Sequence, residues 1–203
     1  MYKNIQEYIE NLSTESIPED RKLILDPFIK FLQSKSLDET IKLNFICTHN
    51  SRRSILSQVW AKTVASYFGF KNIECYSGGT EATAVFPQIV KTLENTGFLV
   101  KTMAESNNPI YAIKFAGNET PIITFSKVYD DFVNPKSEFA ALMTCNHADE
   151  ACPIIPGAIY RVALDYLDPK ISDHTPNMEK TYEERSNQIA TEMKYVFSQL
   201  NKS

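Results

Sequence analysis

The stretch that decides the fold is Leu43-Asn44-Phe45-Ile46-Cys47-Thr48-His49-Asn50-Ser51-Arg52-Arg53-Ser54. An apolar run ends at Cys47, and the apolar residues after Ser54 recur at helical spacing. The stretch therefore predicts a strand, a loop and a helix. A thiol at the strand end lies under the N–H groups of the helix and beside two guanidinium groups, which favours the thiolate. We predict an oxyanion-binding loop in which Cys47 is the nucleophile.

Bulk properties limit the classes of protein and of partner. The chain has 203 residues, of which 43% are hydrophobic, so it can build one ordinary domain with an appendage. A net charge of -4 provides no basic field for nucleic acid or for an anionic membrane. An anionic substrate must therefore be captured by a local positive site, for which Arg52 and Arg53 are the candidates.

The cysteines and the N-terminal sequence bear on the cellular compartment. The first residues lack a basic region followed by an apolar stretch, and no window approaches eighteen apolar residues, so we predict a cytoplasmic protein. In a reducing compartment we expect the four cysteines to be catalytic, redox-active or buried rather than permanently bridged. No group of Cys and His residues has the spacing of a zinc site, so we predict no metal.

The chain divides into a helical extension, 1–41, and an α/β domain, 42–203. In the second part strands and helices alternate, which predicts a mainly parallel sheet covered by helices on both faces. A turn sequence between two apolar runs at about 110–126 predicts an added β-hairpin. The predicted strands are 43–47, 73–77, 139–145 and about 160–164, and the predicted helices are 53–68, about 86–96 and about 179–200.

The Cys-x5-Arg-Ser loop between a strand and a helix resembles the loop of the low-molecular-weight protein tyrosine phosphatase superfamily. The resemblance runs from residue 43 to about 200 and implies a three-layer α/β sandwich. It also implies that Cys47 attacks the bound anion, Arg53 clamps two of its oxygens and Ser54 hydrogen-bonds the sulfur. The residues expected to surround the oxyanion are Thr48, His49, Asn50, Ser51, Arg52 and Arg53.

A second part of the resemblance is Asp168-Pro169, between the last predicted strand and the last predicted helix. It is similar to the Asp-Pro loop that carries the general acid of the superfamily. By that resemblance, Asp168 would protonate the departing oxygen.

The segment from Cys145 to Cys152-Pro153 is similar to the Cys-x6-Cys-Pro stretch of the thioredoxin-coupled arsenate reductases. That similarity implies that Cys145 attacks Cys47 and expels arsenite, and that Cys152 then forms a disulfide with Cys145 that thioredoxin reduces. Seven residues on an intact helix span about 10.5 Å, whereas bridged cysteines need Cα atoms within roughly 7 Å, so we expect a mobile loop here. Cys75 is expected to be a small apolar core residue.

Three functions remain open at this stage. The first is an arsenate reductase that needs no metal or organic cofactor. The second is a phosphatase of phosphotyrosine or other phosphomonoesters, although Lys170-Ile171 replaces the tyrosines that follow Asp-Pro in many tyrosine-specific members. The third is a non-catalytic oxyanion-binding or redox-sensing module, because His49 stands where the family loop usually has Gly.

Overall fold

The computed structural model describes residues 1–36, 39–151 and 154–200. The helices are α1 (Lys3–Asn11), α2 (Glu19–Gln33), α3 (Arg53–Tyr67), α4 (Pro87–Thr96), α5 (Asn146–Ala151) and α6 (Met178–Ser198). The strands are β1 (Ile41–Cys47), β2 (Ile73–Gly79), β3 (Leu99–Ala104), β4 (Ile110–Lys114), β5 (Ile122–Thr124), β6 (Phe139–Met143) and β7 (Ala158–Ala163). Short 3₁₀ turns occupy Thr14–Ser16 and Pro169–Ser172.

The main sheet has four parallel strands in the order β2-β1-β6-β7. Along its two central strands, β1 and β6, successive buried apolar residues belong to one or the other of two buried clusters, as the two-residue period of a strand requires. Leu43 and Phe45 of β1 belong to a large core with α3 and α6, whereas Ile46 belongs to a smaller cluster with Ala148 of α5. Burial on both faces explains why β6 is continuously apolar and why Lys42 and Asn44 are the polar residues of an otherwise apolar β1. The predicted α/β fold is confirmed.

The predicted hairpin is also present, as β4 and β5. It does not extend the main sheet, because β3 joins it in a separate three-stranded antiparallel sheet. The chain then returns to the main sheet, where Val128 forms an isolated parallel bridge with Gly79 at the end of β2. This bridge brings residues 126–129 against the loop that follows β1.

The N-terminal helices share the core of the α/β part. Ile5 and Ile9 of α1 and Leu25 and Phe28 of α2 are fully buried in the large cluster. Tyr8 stacks on Trp60 of α3, with ring centroids 5.3 Å apart. The division of the chain at residue 41 stays a prediction. No helix in the described ranges is long and apolar enough to cross a membrane.

Candidate active site

The sulfur of Cys47 is buried at the end of β1 and contacts a serine hydroxyl. Cys47 is 3% exposed, and its Sγ lies 3.0 Å from Oγ of Ser54 in the first turn of α3. The same Oγ accepts a hydrogen bond from Nδ2 of Asn50 at 2.8 Å. Since Asn50 uses an acceptor site of the hydroxyl, the Ser54 proton remains able to point at the sulfur and stabilise negative charge on it.

The backbone of the loop after Cys47 turns its carbonyl groups outward. Hydrogen bonds to these carbonyls come from the 80–86 segment and from Ser126. The pairs are Thr80 N to Cys47 O, Glu81 N to Thr48 O, Ser126 Oγ to His49 O and Phe86 N to Ser51 O, all between 2.8 and 3.1 Å. Within the described parts of the chain, no acceptor pairs with the backbone N–H groups of 48–52. Amide donors of this kind are what the predicted oxyanion-binding cradle requires.

Two backbone positions fix the shape of the cradle. Asn50 has a φ of 46°, a left-handed conformation that Asn tolerates better than most residues. The neighbouring His49 is not among the positive-φ residues, so a side chain is accommodated there without backbone strain. A Cβ on Gly79 would lie 2.6 Å from the Thr48 oxygen and 2.8 Å from the Asn50 nitrogen, so the loop packs where only Gly fits.

The structure brings Arg53 and Asp168 together. Nη2 of Arg53 donates to Oδ2 of Asp168 at 2.6 Å, and Nη1 donates to the carbonyl of Tyr166 at 3.0 Å. Asp168 caps the 3₁₀ turn by accepting from the N–H of Lys170. Nε of Arg53 is buried, and no acceptor among the described residues contacts it. Arg53 therefore retains a donor for an oxyanion while it holds the predicted general acid.

The guanidinium of Arg52 has other partners. It donates to Asp173 at 2.6 Å and to the hydroxyl of Tyr182 at 2.5 Å, and it lies 4.1 Å from the ring centroid of Phe86. Burial raises the pKa of Tyr182, and its hydrogen bond to Asp173 adds to this effect. Arg52 thus ties the segment after Asp168 to the loop, and its predicted contribution to oxyanion binding stays a prediction. The sequence pattern gave no indication of these partners.

Cys145 lies against the same loop. Its sulfur is 3.5 Å from Oγ1 of Thr48, and the residue is 1% exposed. Nδ1 of His147 lies 3.4 Å from the same Thr48 oxygen. Cys145 and Cys47 belong to one small buried cluster. The structure therefore brings two of the three predicted relay cysteines to one side of the sheet.

The segment after Cys145 forms helix α5 at Asn146–Ala151. A short helix therefore stands where a mobile loop was expected from the distance that bridged cysteines require, and burial of Ala148 against β1 and β6 supports that helix. Cys152 and Pro153 lie outside the described residues.

Cys75 and Lys127 contribute to the structure around the site rather than to its chemistry. Cys75 is half-buried on β2, and burial raises its pKa to about 12, as expected for an inert thiol. Lys127 supports the loop, because its backbone N–H donates to Oδ1 of Asn50 at 3.1 Å. The sequence gave no indication of this contact.

Over the ranges that the structure describes, no cluster of three His, Cys, Asp or Glu residues could hold a metal ion.

Known proteins resemble this chain in sequence and in fold. Residues 42–116 match the family model of low molecular weight phosphotyrosine protein phosphatases. Among solved structures, a YwlE mutant from Bacillus subtilis aligns with 80% of this chain and 99% of its own at a TM-score of 0.54 and 15% identity. A low molecular weight protein tyrosine phosphatase from T. tengcongensis aligns with 79% of this chain and 99% of its own at a TM-score of 0.54 and 14% identity. Both solved structures therefore resemble this chain in fold. Residues 42–116 are thus similar in sequence to the low molecular weight phosphotyrosine protein phosphatases, and the chain shares their fold.

The sequence is also similar to arsenate reductases. One from Bacillus cereus (strain AH187) is 28% identical over 125 residues, which are 62% of this chain and 74% of the relative. Arsenate reductase 2 of Staphylococcus epidermidis is 26% identical over 125 residues, or 62% of this chain and 76% of the relative. The matched family model and these relatives both describe enzymes.

Proposed function

We propose that this protein is an arsenate reductase that works by nucleophilic attack and a thiol relay, with thioredoxin as the reductant. The observation that carries the proposal is the contact of Cys145 with the oxyanion loop, at 3.5 Å from Thr48 Oγ1. A phosphatase needs only the loop, Arg53 and Asp168, whereas arsenate reduction also needs a second sulfur within reach of the first. The similarity to arsenate reductases supports the same assignment.

The first step follows from the chemistry of the loop. The Cys47 thiolate attacks arsenic, and an oxygen leaves as water after Asp168 supplies a proton. The loop amides and Arg53 stabilise the charge that develops on the remaining oxygens. Arsenic is still As(V) in this covalent adduct.

The second step is the redox step. The Cys145 thiolate attacks the sulfur of Cys47, so a disulfide forms and the sulfur–arsenic bond breaks. The electron pair of that bond stays on arsenic, which leaves as As(III) arsenite. Cys152 then attacks Cys145 and releases the Cys47 thiolate, and a dithiol of the thioredoxin type reduces the Cys145–Cys152 disulfide. Because α5 lies between these two cysteines, we expect it to unwind when they bridge.

A second candidate function is phosphomonoester hydrolysis. The ion pair between Arg53 and Asp168 favours it, because it sets an acid beside the clamp without any contribution from Cys145. The two functions share Cys47, Arg53, Ser54 and Asp168, and only the distal cysteines distinguish them.

The decisive experiment measures both activities in one set of variants. Arsenate reduction is followed with thioredoxin, its reductase and NADPH, and phosphatase turnover with an aryl phosphate. We expect Cys47→Ser to abolish both activities, and Cys145→Ser or Cys152→Ser to abolish arsenate reduction alone. Cys75→Ala is the matched control, because Cys75 lies on β2 with no predicted role, and it should retain both.

Three results would contradict the proposal. Arsenate reduction that survives Cys145→Ser would exclude the relay. Phosphatase turnover several orders of magnitude above arsenate turnover would favour the second candidate. Oxyanion binding without either activity would identify a non-catalytic module.

A further inference from the structure

Arg21, in the N-terminal helix α2, reaches the segment that carries the predicted general acid. Its guanidinium forms a two-pronged ion pair with Glu192 of α6, with Nε–Oε1 and Nη2–Oε2 distances of 2.8 Å. These side chains are only 13% and 2% exposed, so the geometry of the fork is well fixed. The third nitrogen, Nη1, donates to the carbonyl of Asp165 at 3.3 Å.

Arg21 also covers the next residue of this segment. Its guanidinium carbon lies 4.8 Å from the ring centroid of Tyr166, within the range of a cation–π contact. The carbonyl of Tyr166 in turn accepts from Arg53. Tyr166, two positions before Asp168, therefore contacts Arg21 through its ring and Arg53 through its main chain.

The acid segment, residues 164–168, needs such support. Asp165 has a φ of 32°, in the left-handed region that a non-glycine residue rarely occupies. The N–H groups of 164–166 bond to carbonyls at the end of β6, which fixes one edge of the segment. On the opposite edge, the Asp165 carbonyl and the Tyr166 ring contact Arg21.

We propose that Arg21 is a positioning residue for general acid catalysis, supplied by the N-terminal extension. It does not touch the anion but holds Asp165 and Tyr166 so that the Asp168 carboxyl stays at the mouth of the loop. Arg21 lies outside residues 42–116, the part that matches the family model. The extension is thus part of the catalytic apparatus as well as of the core. This inference rests on the proposed oxyanion chemistry of Cys47 and Asp168.

The test compares substrates that differ in their need for an acid. Phenyl phosphate has a poor leaving group and needs protonation, whereas dinitrophenyl phosphate has a good one and does not. We expect Asp168→Asn to lower kcat/KM for phenyl phosphate by about a hundredfold. Arg21→Gln should lower it by about tenfold, while both variants stay within about threefold of wild type on dinitrophenyl phosphate.

A double-mutant cycle separates positioning from general stability. If Arg21 acts through Asp168, Arg21→Gln should cost nothing further in the Asp168→Asn background. Lys30→Gln is the matched control, since it removes a positive charge from an exposed ion pair on the same helix and should behave as wild type. Should Arg21→Gln fail to fold, Glu192→Gln releases the same guanidinium, and the same pattern is expected.

The inference is overturned if Arg21→Gln slows both esters equally, or if its effect is additive with Asp168→Asn. It is also overturned if Asp168→Asn itself shows no dependence on the leaving group. Failure of the proposed chemistry is seen separately, because a wild-type protein that neither cleaves these esters nor reduces arsenate is inactive before any variant is compared. In that event the inference is overturned with it.

Discussion

The oxyanion loop and the acid segment are held in place by different kinds of interaction. The loop is held mainly by neighbouring main chain, because its carbonyls accept hydrogen bonds from N–H groups of 80–86 and, at His49, from the buried hydroxyl of Ser126. The acid segment is fixed by backbone on one edge only, and on the other by the side chains of Arg21 and Arg53. Activity should therefore be sensitive to displacement of the loop backbone and insensitive to changes in the exposed side chains of the loop. Activity should also be sensitive to replacement of single charged side chains that contact the acid segment from distant positions in the sequence.

The largest effect is expected where backbone contacts of the loop are broken. In Gly79→Ala, the new Cβ collides with the main chain at Thr48 and Asn50, and these atoms cannot move aside like a flexible side chain. Loss of one oxyanion donor costs about 10²–10³-fold in kcat, so we expect kcat/KM to fall by about 10³-fold. Gly117→Ala is the matched control, because a Cβ there has no neighbour within 4 Å. Near-wild-type activity of Gly79→Ala would contradict backbone bracing.

A smaller loss is expected at the residue that joins the two regions. Arg53→Lys keeps the charge but cannot contact Tyr166, Asp168 and an oxyanion at once. We expect kcat/KM for an aryl phosphate to fall by about a hundredfold, with weaker phosphate binding by calorimetry. A change below threefold would mean that a point charge suffices at this position.

Lys127 supports the loop through its main chain and not through its side chain, so the side chain can be replaced without loss of that support. Burial lowers the pKa of Lys127 to about 8, with Asp131 acting in the opposite direction. The unfolded chain, with a lysine pKa near 10.4, thus binds more protons between about pH 8 and 10.4. The penalty for burying the charge is fully present below pH 8 and is relieved as pH rises through this window.

Lys127→Met should therefore raise the free energy of unfolding by about 3 kcal/mol at pH 7. The gain should shrink as the pH approaches about 10, as measured by urea unfolding at both pH values. Activity should be retained, because the N–H to Asn50 is unchanged. A destabilised variant at pH 7 would show that the contact of the ammonium with the Phe125 ring, at 4.8 Å from the ring centroid, outweighs the cost of burying the charge.

The smallest effect is expected at His49. Its side chain is 39% exposed, and its polar contact within the described residues is with Glu81, at 3.4 Å. The His49 carbonyl, in contrast, accepts a hydrogen bond from Ser126. Surface ion pairs of this kind contribute about 0–1 kcal/mol. We expect His49→Ala to keep kcat/KM within about threefold of wild type. A loss above tenfold would give the imidazole a direct part in anion binding.

Sequence alone determined the features that depend on short-range pattern. Apolar periodicity and turn residues predicted β1, the loop, α3 and the hairpin, and the spacing of Cys47, Arg53 and Ser54 predicted one local site. These residues meet because they lie within two turns of one strand–helix junction. The weak pattern of 146–151 gave no indication of α5, whose formation depends on packing against β1 and β6.

Tertiary structure decided which distant residues meet. The pairs Arg21–Asp165, Arg52–Asp173, Lys127–Asn50 and Cys145–Thr48 are each separated by more than seventy positions. They meet because parallel strands direct their carboxyl ends to one edge of the sheet and because α2 and α6 pack in the same core. No periodicity encodes such pairs, since each depends on the complete packing of the chain rather than on local propensity.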